Sequence, residues 1–124
     1  MIAPVKRIGR AILRSWQPDP EPAPGVIPKS EIARYLPRDP VVVDAGAHLG
    51  FDTLQMARMR PRGVVHAFEP VPAVFERLRA ATAGQANVRV YPVALADREG
   101  LLPMHVSGGT STGSSSLLEP KEHL

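Results

Sequence analysis

The chain has 124 residues, with 15 lysines and arginines against 12 acidic residues, 14 prolines and no cysteine. The absence of cysteine excludes a disulfide scaffold, a thiolate zinc site and a cysteine nucleophile, and it suits the reducing cytoplasm, where we expect the protein to be located. The net charge of +3 is mild, so no nucleic-acid partner is expected. At this length the chain holds at most one small domain.

Residues 1–39 are expected to form a leader, a linker and a short helix outside the main core. Residues 1–16 contain no acidic residue, and helical spacing would place their apolar side chains opposite their basic ones. Such a helix suits loose packing on the domain, or weak contact with an anionic membrane surface or a partner. Residues 17–28 carry five prolines, which predicts an extended spacer. Ser30 is predicted to cap a short helix over residues 31–36, before Pro37.

Residues 40–124 are expected to form an α/β domain, because short apolar runs alternate with segments of helical spacing. Three consecutive valines, Val41 to Val43, indicate a strand that is buried on both faces. The predicted elements are strands at 40–44, 64–68, 88–95 and 101–106, helices at 51–59 and 72–83, and a loop at 107–116. This order predicts a Rossmann-like parallel sheet with right-handed connections.

The most informative segment is the turn from Asp44 to Gly50, between a predicted strand and a predicted helix. Nucleotide-like ligands bind at this position in open parallel sheets. Gly46 permits a tight turn, and Gly50 permits close packing of the helix on the sheet. The helix N-terminus offers free amide groups to an anion, and Asp44 can favour a positive ligand group directly or through water.

The turn lacks the G-x-G-x-x-G pattern of dinucleotide-binding proteins. Ala47 and His48 would obstruct the close approach of a pyrophosphate, which disfavours an NAD-dependent oxidoreductase and suits a ligand without phosphate. Glu69 ends the next predicted strand, 25 positions after Asp44, where an acid can accept both hydroxyls of a ribose. S-adenosylmethionine is a ligand of this kind, because it has a ribose and a positive amino group and no phosphate. Either acid alone could instead be a turn cap or a solvated strand end.

These segments together resemble the FkbM-type methyltransferases. The resemblance runs in order through VVVDAGAHLGFDTLQMA, GVVHAFEPVPAVFERLR, NVRVYPVALADREG and SSSLL. It implies a class I methyltransferase that uses S-adenosylmethionine, typically to methylate a hydroxyl of a sugar or another small molecule. The implied cofactor contacts are the turn residues Asp44, Gly46, Ala47, His48 and Gly50, with Glu69 on the ribose and Ala94 against the adenine.

The family pattern continues beyond the segment that corresponds to Leu124. The chain is therefore expected to be truncated and inactive alone, and to hold the first three strands of an incomplete class I fold in the order 3-2-1, with residues 41–43 on an open edge. No catalytic residue is assigned, and the histidine spacing predicts no metal site. The alternative is a non-catalytic α/β module that contacts a membrane or a partner through its basic N-terminal helix.

Overall fold

Within residues 24–107 the fold consists of three parallel strands and three helices. The structure is a computed structural model that describes residues 24–107, Ser115 and Leu117. In chain order the elements are α1 (Lys29–Arg34), β1 (Val41–Ala45), α2 (Phe51–Met59), β2 (Val64–Phe68), α3 (Pro72–Thr82) and β3 (Val88–Tyr91). The strands lie in the order β1-β2-β3 and both pairs are parallel. The predicted α/β fold and its strand order are therefore confirmed.

The core lies on one face of the sheet. Two right-handed connections that step in the same direction across a sheet place both of their helices on the same side. The β2 residues Val65 and Ala67 are buried, whereas their neighbours Val64, His66 and Phe68 are partly exposed. Val65 and Ala67 belong to two apolar clusters, one formed by Met56, Ala57, Val65 and Val88 and the other by Ala47, Ala67 and Leu78.

Strand β1 is open to solvent on the other face. The side chains of Val41 and Val43 are 71% and 58% exposed, so the prediction that these valines are buried on both faces is wrong for the described residues. Within that part of the chain, β2 is the only strand that pairs with β1. Among the described residues, the expected open apolar edge at residues 41–43 is confirmed.

Two strand predictions are wrong for the part of the chain that follows Tyr91. Strand β3 ends at Tyr91 and not at residue 95, because Pro92 has no amide group to continue the ladder. Residues 101–106 do not form a strand and contain a single bridge at His105. The backbone after Tyr91 is thereby released from the sheet, and it turns toward the end of β2, where Ala94 and Pro70 line the same cleft.

Helix α1 begins one residue before the predicted cap. It starts at Lys29 with Pro28 at the N-cap position and no side-chain cap, so Ser30 lies inside the helix and the predicted cap is wrong. Lys29 forms an ion pair with Asp52 of α2 over 3.2 Å. The Arg60 guanidinium, just after α2, donates to the carbonyl oxygen of Ala33. These contacts hold α1 beside α2.

Several expectations fall outside the described residues. These are the amphipathic helix at 1–16, the first part of the proline-rich spacer, and most of the loop at 107–116. Among the helices that are described, none has both the length and the apolar character that crossing a membrane requires.

Gly50 lies at the end of the turn after β1 and packs closely against α3. It has a φ of 83°, and a Cβ atom added there would lie 2.7 Å from Cδ1 of Leu78, a fully buried side chain. Gly46 also has a positive φ, of 77°, but its added Cβ would meet no atom within 4 Å. Gly84 has neither a positive φ nor a close neighbour. A comparison of the three glycines therefore distinguishes the cost of a left-handed backbone from the cost of steric overlap.

We expect Gly50→Ala to lower the free energy of unfolding by roughly 2–4 kcal/mol, because it adds steric overlap with Leu78 to the cost of a left-handed residue. Gly46→Ala should cost only roughly 1–2 kcal/mol, for the conformation alone. Gly84→Ala is the matched control and should be neutral or slightly stabilising. Urea unfolding of the three variants measures the differences. Equal stability of Gly50→Ala and Gly84→Ala would contradict this packing.

Candidate functional site

The turn between β1 and α2 has an unusual concentration of left-handed residues. Gly46, His48 and Gly50 all have positive φ angles, of 77°, 50° and 83°. Glycine takes this conformation without a steric penalty, whereas a residue with a Cβ atom pays about 1–2 kcal/mol for it. The turn is therefore permitted by its glycines at two positions and must be held by other contacts at His48.

Two hydrogen bonds fix the start of the turn to β2. The amide groups of Gly46 and Ala47 both donate to the carbonyl oxygen of Phe68, over 2.9 Å each. Phe68 is the last residue of β2, so these bonds bring the turn against the point where β2 ends. The residue that follows Phe68 is Glu69, which consequently lies beside the turn.

Glu69 is a buried acid, with 5% of its surface exposed. Its Oε2 atom accepts the amide of His48 over 3.0 Å, and its Oε1 atom accepts the amide of Val71 over 2.9 Å. A buried carboxylate needs such donors, because an unpaired charge would be costly away from water. The carboxylate thereby ties the β1–α2 turn to the start of α3, and it fixes His48 in its left-handed conformation.

The Glu69 carboxylate keeps further acceptor capacity. An ionised carboxylate offers about four lone-pair sites, and the two amide bonds use one on each oxygen. Glu69 also lines an open cleft, so that capacity is directed to a space where a ligand can lie. A pair of vicinal hydroxyls would match two neighbouring carboxylate oxygens.

The cleft has a volume of about 300 Å³ and lies at the carboxyl ends of β1 and β2. Ligands bind at this end of open parallel sheets. One wall is the turn, with Ala45, Gly46 and His48, and the opposite wall comes from the segment after β3, with Ala94 and Leu95. Glu69 and Pro70 lie between the two walls. A wider cleft of about 750 Å³ adjoins it along Pro70, Ala94, Leu95, Met104 and Leu117.

Four of the seven residues that sequence reasoning singled out line this cleft: Gly46, His48, Glu69 and Ala94. Ala47 and Gly50 do not line it, because Ala47 packs in the core with Leu78 and Gly50 makes room for that same side chain. Asp44 also lies outside the lining, and its Oδ2 atom accepts the Thr53 hydroxyl over 2.5 Å. The predicted turn therefore divides into ligand-facing and packing positions.

Thr53 and Pro70 were missed by the sequence analysis. Thr53 is fully buried in the first turn of α2 and is bound to Asp44, nine positions earlier. A polar residue among the apolar positions of a helix was the available signal. Pro70 directly follows Glu69 and could have been inferred from that position. Throughout residues 24–107, Ser115 and Leu117, no three histidine or acidic side chains gather closely enough to hold a metal ion.

Comparison with known proteins gives consistent results. A family model described as the methyltransferase FkbM domain matches residues 44–123. The chain is 33% identical over 91 residues to 2-O-methyltransferase NoeI of Sinorhizobium fredii, a match that covers 69% of this chain and 37% of that protein. It is 32% identical over 92 residues to methyltransferase sdnD of Sordaria araneosa, covering 72% of this chain and 36% of that protein.

Among solved structures, the crystal structure of P. horikoshii TYW2 in complex with MeSAdo matches at 25% identity and a TM-score of 0.47, over 56% of this chain and 27% of that chain. The chain spans somewhat more than a third of the length of the two curated relatives. The family match begins at Asp44 and includes the turn, Glu69 and the segment after β3, and it therefore confirms the resemblance on which the cofactor assignment depends. The chain belongs to the FkbM methyltransferase family, whose methyl donor is S-adenosylmethionine.

Proposed function

We propose that this chain binds S-adenosylmethionine in the cleft beside Glu69, and that the whole protein methylates a hydroxyl group of a sugar or another small molecule. The observation that carries the proposal is the buried Glu69 carboxylate, held by two backbone amides and open to the cleft. Membership of a methyltransferase family disfavours the alternative of a non-catalytic module. The name of the relative NoeI, a 2-O-methyltransferase, supports a hydroxyl acceptor.

The residues of the cleft fit this cofactor. At Gly46 a Cβ atom would meet nothing within 4 Å, so the space beside the turn is open to a ligand. Glu69 has acceptor capacity for two ribose hydroxyls, and Ala94 and Leu95 offer an apolar surface to an adenine ring. The cleft volume of about 300 Å³ lies at the lower end of the range for small-molecule sites.

The residues of this chain contribute binding and orientation. Glu69 would hold the ribose, the Gly46 turn would admit the neighbouring part of the molecule, and Ala94 would pack on the base. When bound, S-adenosylmethionine supplies an activated methyl group that a hydroxyl oxygen can take up as it loses its proton. Fixing one reactant firmly lowers the entropic cost of bringing the acceptor oxygen into line. We assign no residue of this chain to contact with the acceptor.

Glu69→Gln should weaken the binding of S-adenosylmethionine by about tenfold or more, because the loss of a charged acceptor costs roughly 1.5–3 kcal/mol. Calorimetric titration of the 124-residue chain measures the dissociation constant, which we expect in the micromolar range for the unaltered chain. Glu76→Gln is the matched control, since Glu76 is an exposed glutamate that pairs with Arg79 on α3.

A thermal melt of each variant checks that the turn survives, because glutamine would place an amide group against one of the two backbone N–H groups. If Glu69→Gln is less stable, the unaltered chain can instead be titrated with a cofactor analogue that lacks the ribose 2′-hydroxyl, which should also bind more weakly. Equal binding of the analogue and the cofactor, or unchanged binding to a folded Glu69→Gln variant, would contradict the assigned ribose contact.

NAD⁺ should not displace S-adenosylmethionine from the cleft. His48 lines the cleft at the position where a pyrophosphate would need to approach bare backbone, whereas Ala47 faces the core, so the expected obstruction comes from His48 alone. Competition titrations measure this, with S-adenosylhomocysteine as the positive control for displacement. Displacement by NAD⁺ at a concentration close to that of S-adenosylhomocysteine would favour the oxidoreductase reading over the methyltransferase one.

A further inference from the structure

We propose that Thr53 is a positioning residue for the amino-acid end of S-adenosylmethionine, and that it acts through Asp44. This inference rests on the proposed function, because it assigns a role within the same cofactor site. The Thr53 hydroxyl donates to Oδ2 of Asp44 over 2.5 Å. Asp44 lies at the end of β1, next to Ala45 and Gly46, which line the cleft.

The position of Thr53 is fixed by the fold. It is the third residue of α2, it is fully buried, and Gly50 forms the N-cap of that helix. Threonine is branched at Cβ, so its χ1 angle is restricted in a helix and its hydroxyl has few directions available. The hydroxyl donates to Asp44. By contrast, the hydroxyl of Thr82 in α3 donates to a backbone carbonyl of its own helix, that of Leu78.

A fixed Asp44 carboxylate can select a cation. Only one of its two oxygens accepts Thr53, so the group keeps capacity to accept hydrogen bonds from an ammonium group directly or through a bridging water. Lys29, the basic residue bound near the start of α2, pairs with the exposed Asp52 and not with Asp44. Among the described residues Asp44 forms no ion pair. Its side chain does not itself line the cleft, so it would act on an ammonium group from beside Ala45 and Gly46, and Thr53 determines where its carboxylate points.

The amino-acid end is the part of the cofactor that carries an ammonium group. S-adenosylhomocysteine keeps this end on a neutral thioether, and 5′-methylthioadenosine is a neutral thioether of adenosine that lacks it, so a comparison of these two ligands isolates the amino-acid end from the sulfonium charge. If Thr53 acts through Asp44, its loss should weaken the binding of S-adenosylhomocysteine and leave that of 5′-methylthioadenosine unchanged. A merely structural role would weaken both ligands together, because the turn, Glu69 and the adenine wall would all be disturbed.

The experiment titrates the full chain and its variants with both ligands. Thr53→Val keeps the shape and removes the hydroxyl, and it should raise the dissociation constant for S-adenosylhomocysteine by about tenfold, as expected for the loss of a hydrogen bond to a charged group. Thr53→Ser keeps the hydroxyl and should bind as the unaltered chain does. Asp44→Asn should show the same selective loss, and the double variant should lose little more than either single one, since the residues act as one unit.

Three results would overturn the inference. The first is that Thr53→Val binds both ligands as tightly as the unaltered chain does, and the second is that it binds both more weakly by the same factor. The third is that neither Thr53→Val nor Thr53→Ala folds, which would assign Thr53 to stability alone. If the unaltered chain binds neither ligand, the proposed function itself fails. Binding of both ligands by the unaltered chain, with no selectivity in the variants, removes only the role given to Thr53.

Discussion

The site depends on the hydrogen bonds that the Glu69 carboxylate makes to two backbone amides. One comes from His48 in the turn after β1, and the other comes from Val71 just before α3. These two segments are far apart in sequence from one another, and β2 lies between them. A buried charge is stable only where such donors surround it, so the acid and the turn stabilise each other. Removal of either one would take one hydrogen bond away from the other.

The same arrangement explains how a non-glycine residue remains left-handed at His48. Its φ of 50° costs free energy that the Glu69 hydrogen bond and the bonds of Gly46 and Ala47 to Phe68 offset. The turn can therefore present a side chain to the cleft at a position where dinucleotide-binding proteins need bare backbone. Positions 47 and 50 meanwhile face the core, where Ala47 and Gly50 accommodate Leu78.

The local sequence pattern correctly predicted elements such as α2 and β2, whose ends are marked by glycine or proline. The bounds of α2 and β2 agree with the sequence prediction, because Gly50 precedes α2 and the Pro61–Gly63 segment separates it from β2. The predicted end of β3 was wrong because apolar residues after Pro92 suggested a strand, whereas the ladder needs an amide that proline lacks. The prediction that residues 41–43 are buried on both faces was wrong because an apolar run shows what a strand can bury and not which neighbours it has.

Within the site, Glu69 and the turn could be predicted, since an acid at a strand end and a glycine turn are local features of the sequence. The bond between Thr53 and Asp44 could not, because it depends on how α2 is rotated against β1. The division of the turn into cleft-lining and core-packing residues likewise depends on Leu78, which lies on another helix. Sequence reasoning therefore identified the ligand-facing groups better than the contacts that hold them in place.

The most direct test is a titration of the ¹⁵N-labelled chain with S-adenosylmethionine, followed by NMR. The cofactor is expected to lie against the Glu69 carboxylate and the turn that it holds. We therefore expect the largest amide shifts at Gly46, His48, Val71 and Ala94, with little change at the far ends of the strands, such as Val64 and Val88. Absence of shifts at His48 and Val71 in a chain saturated with the cofactor would contradict it.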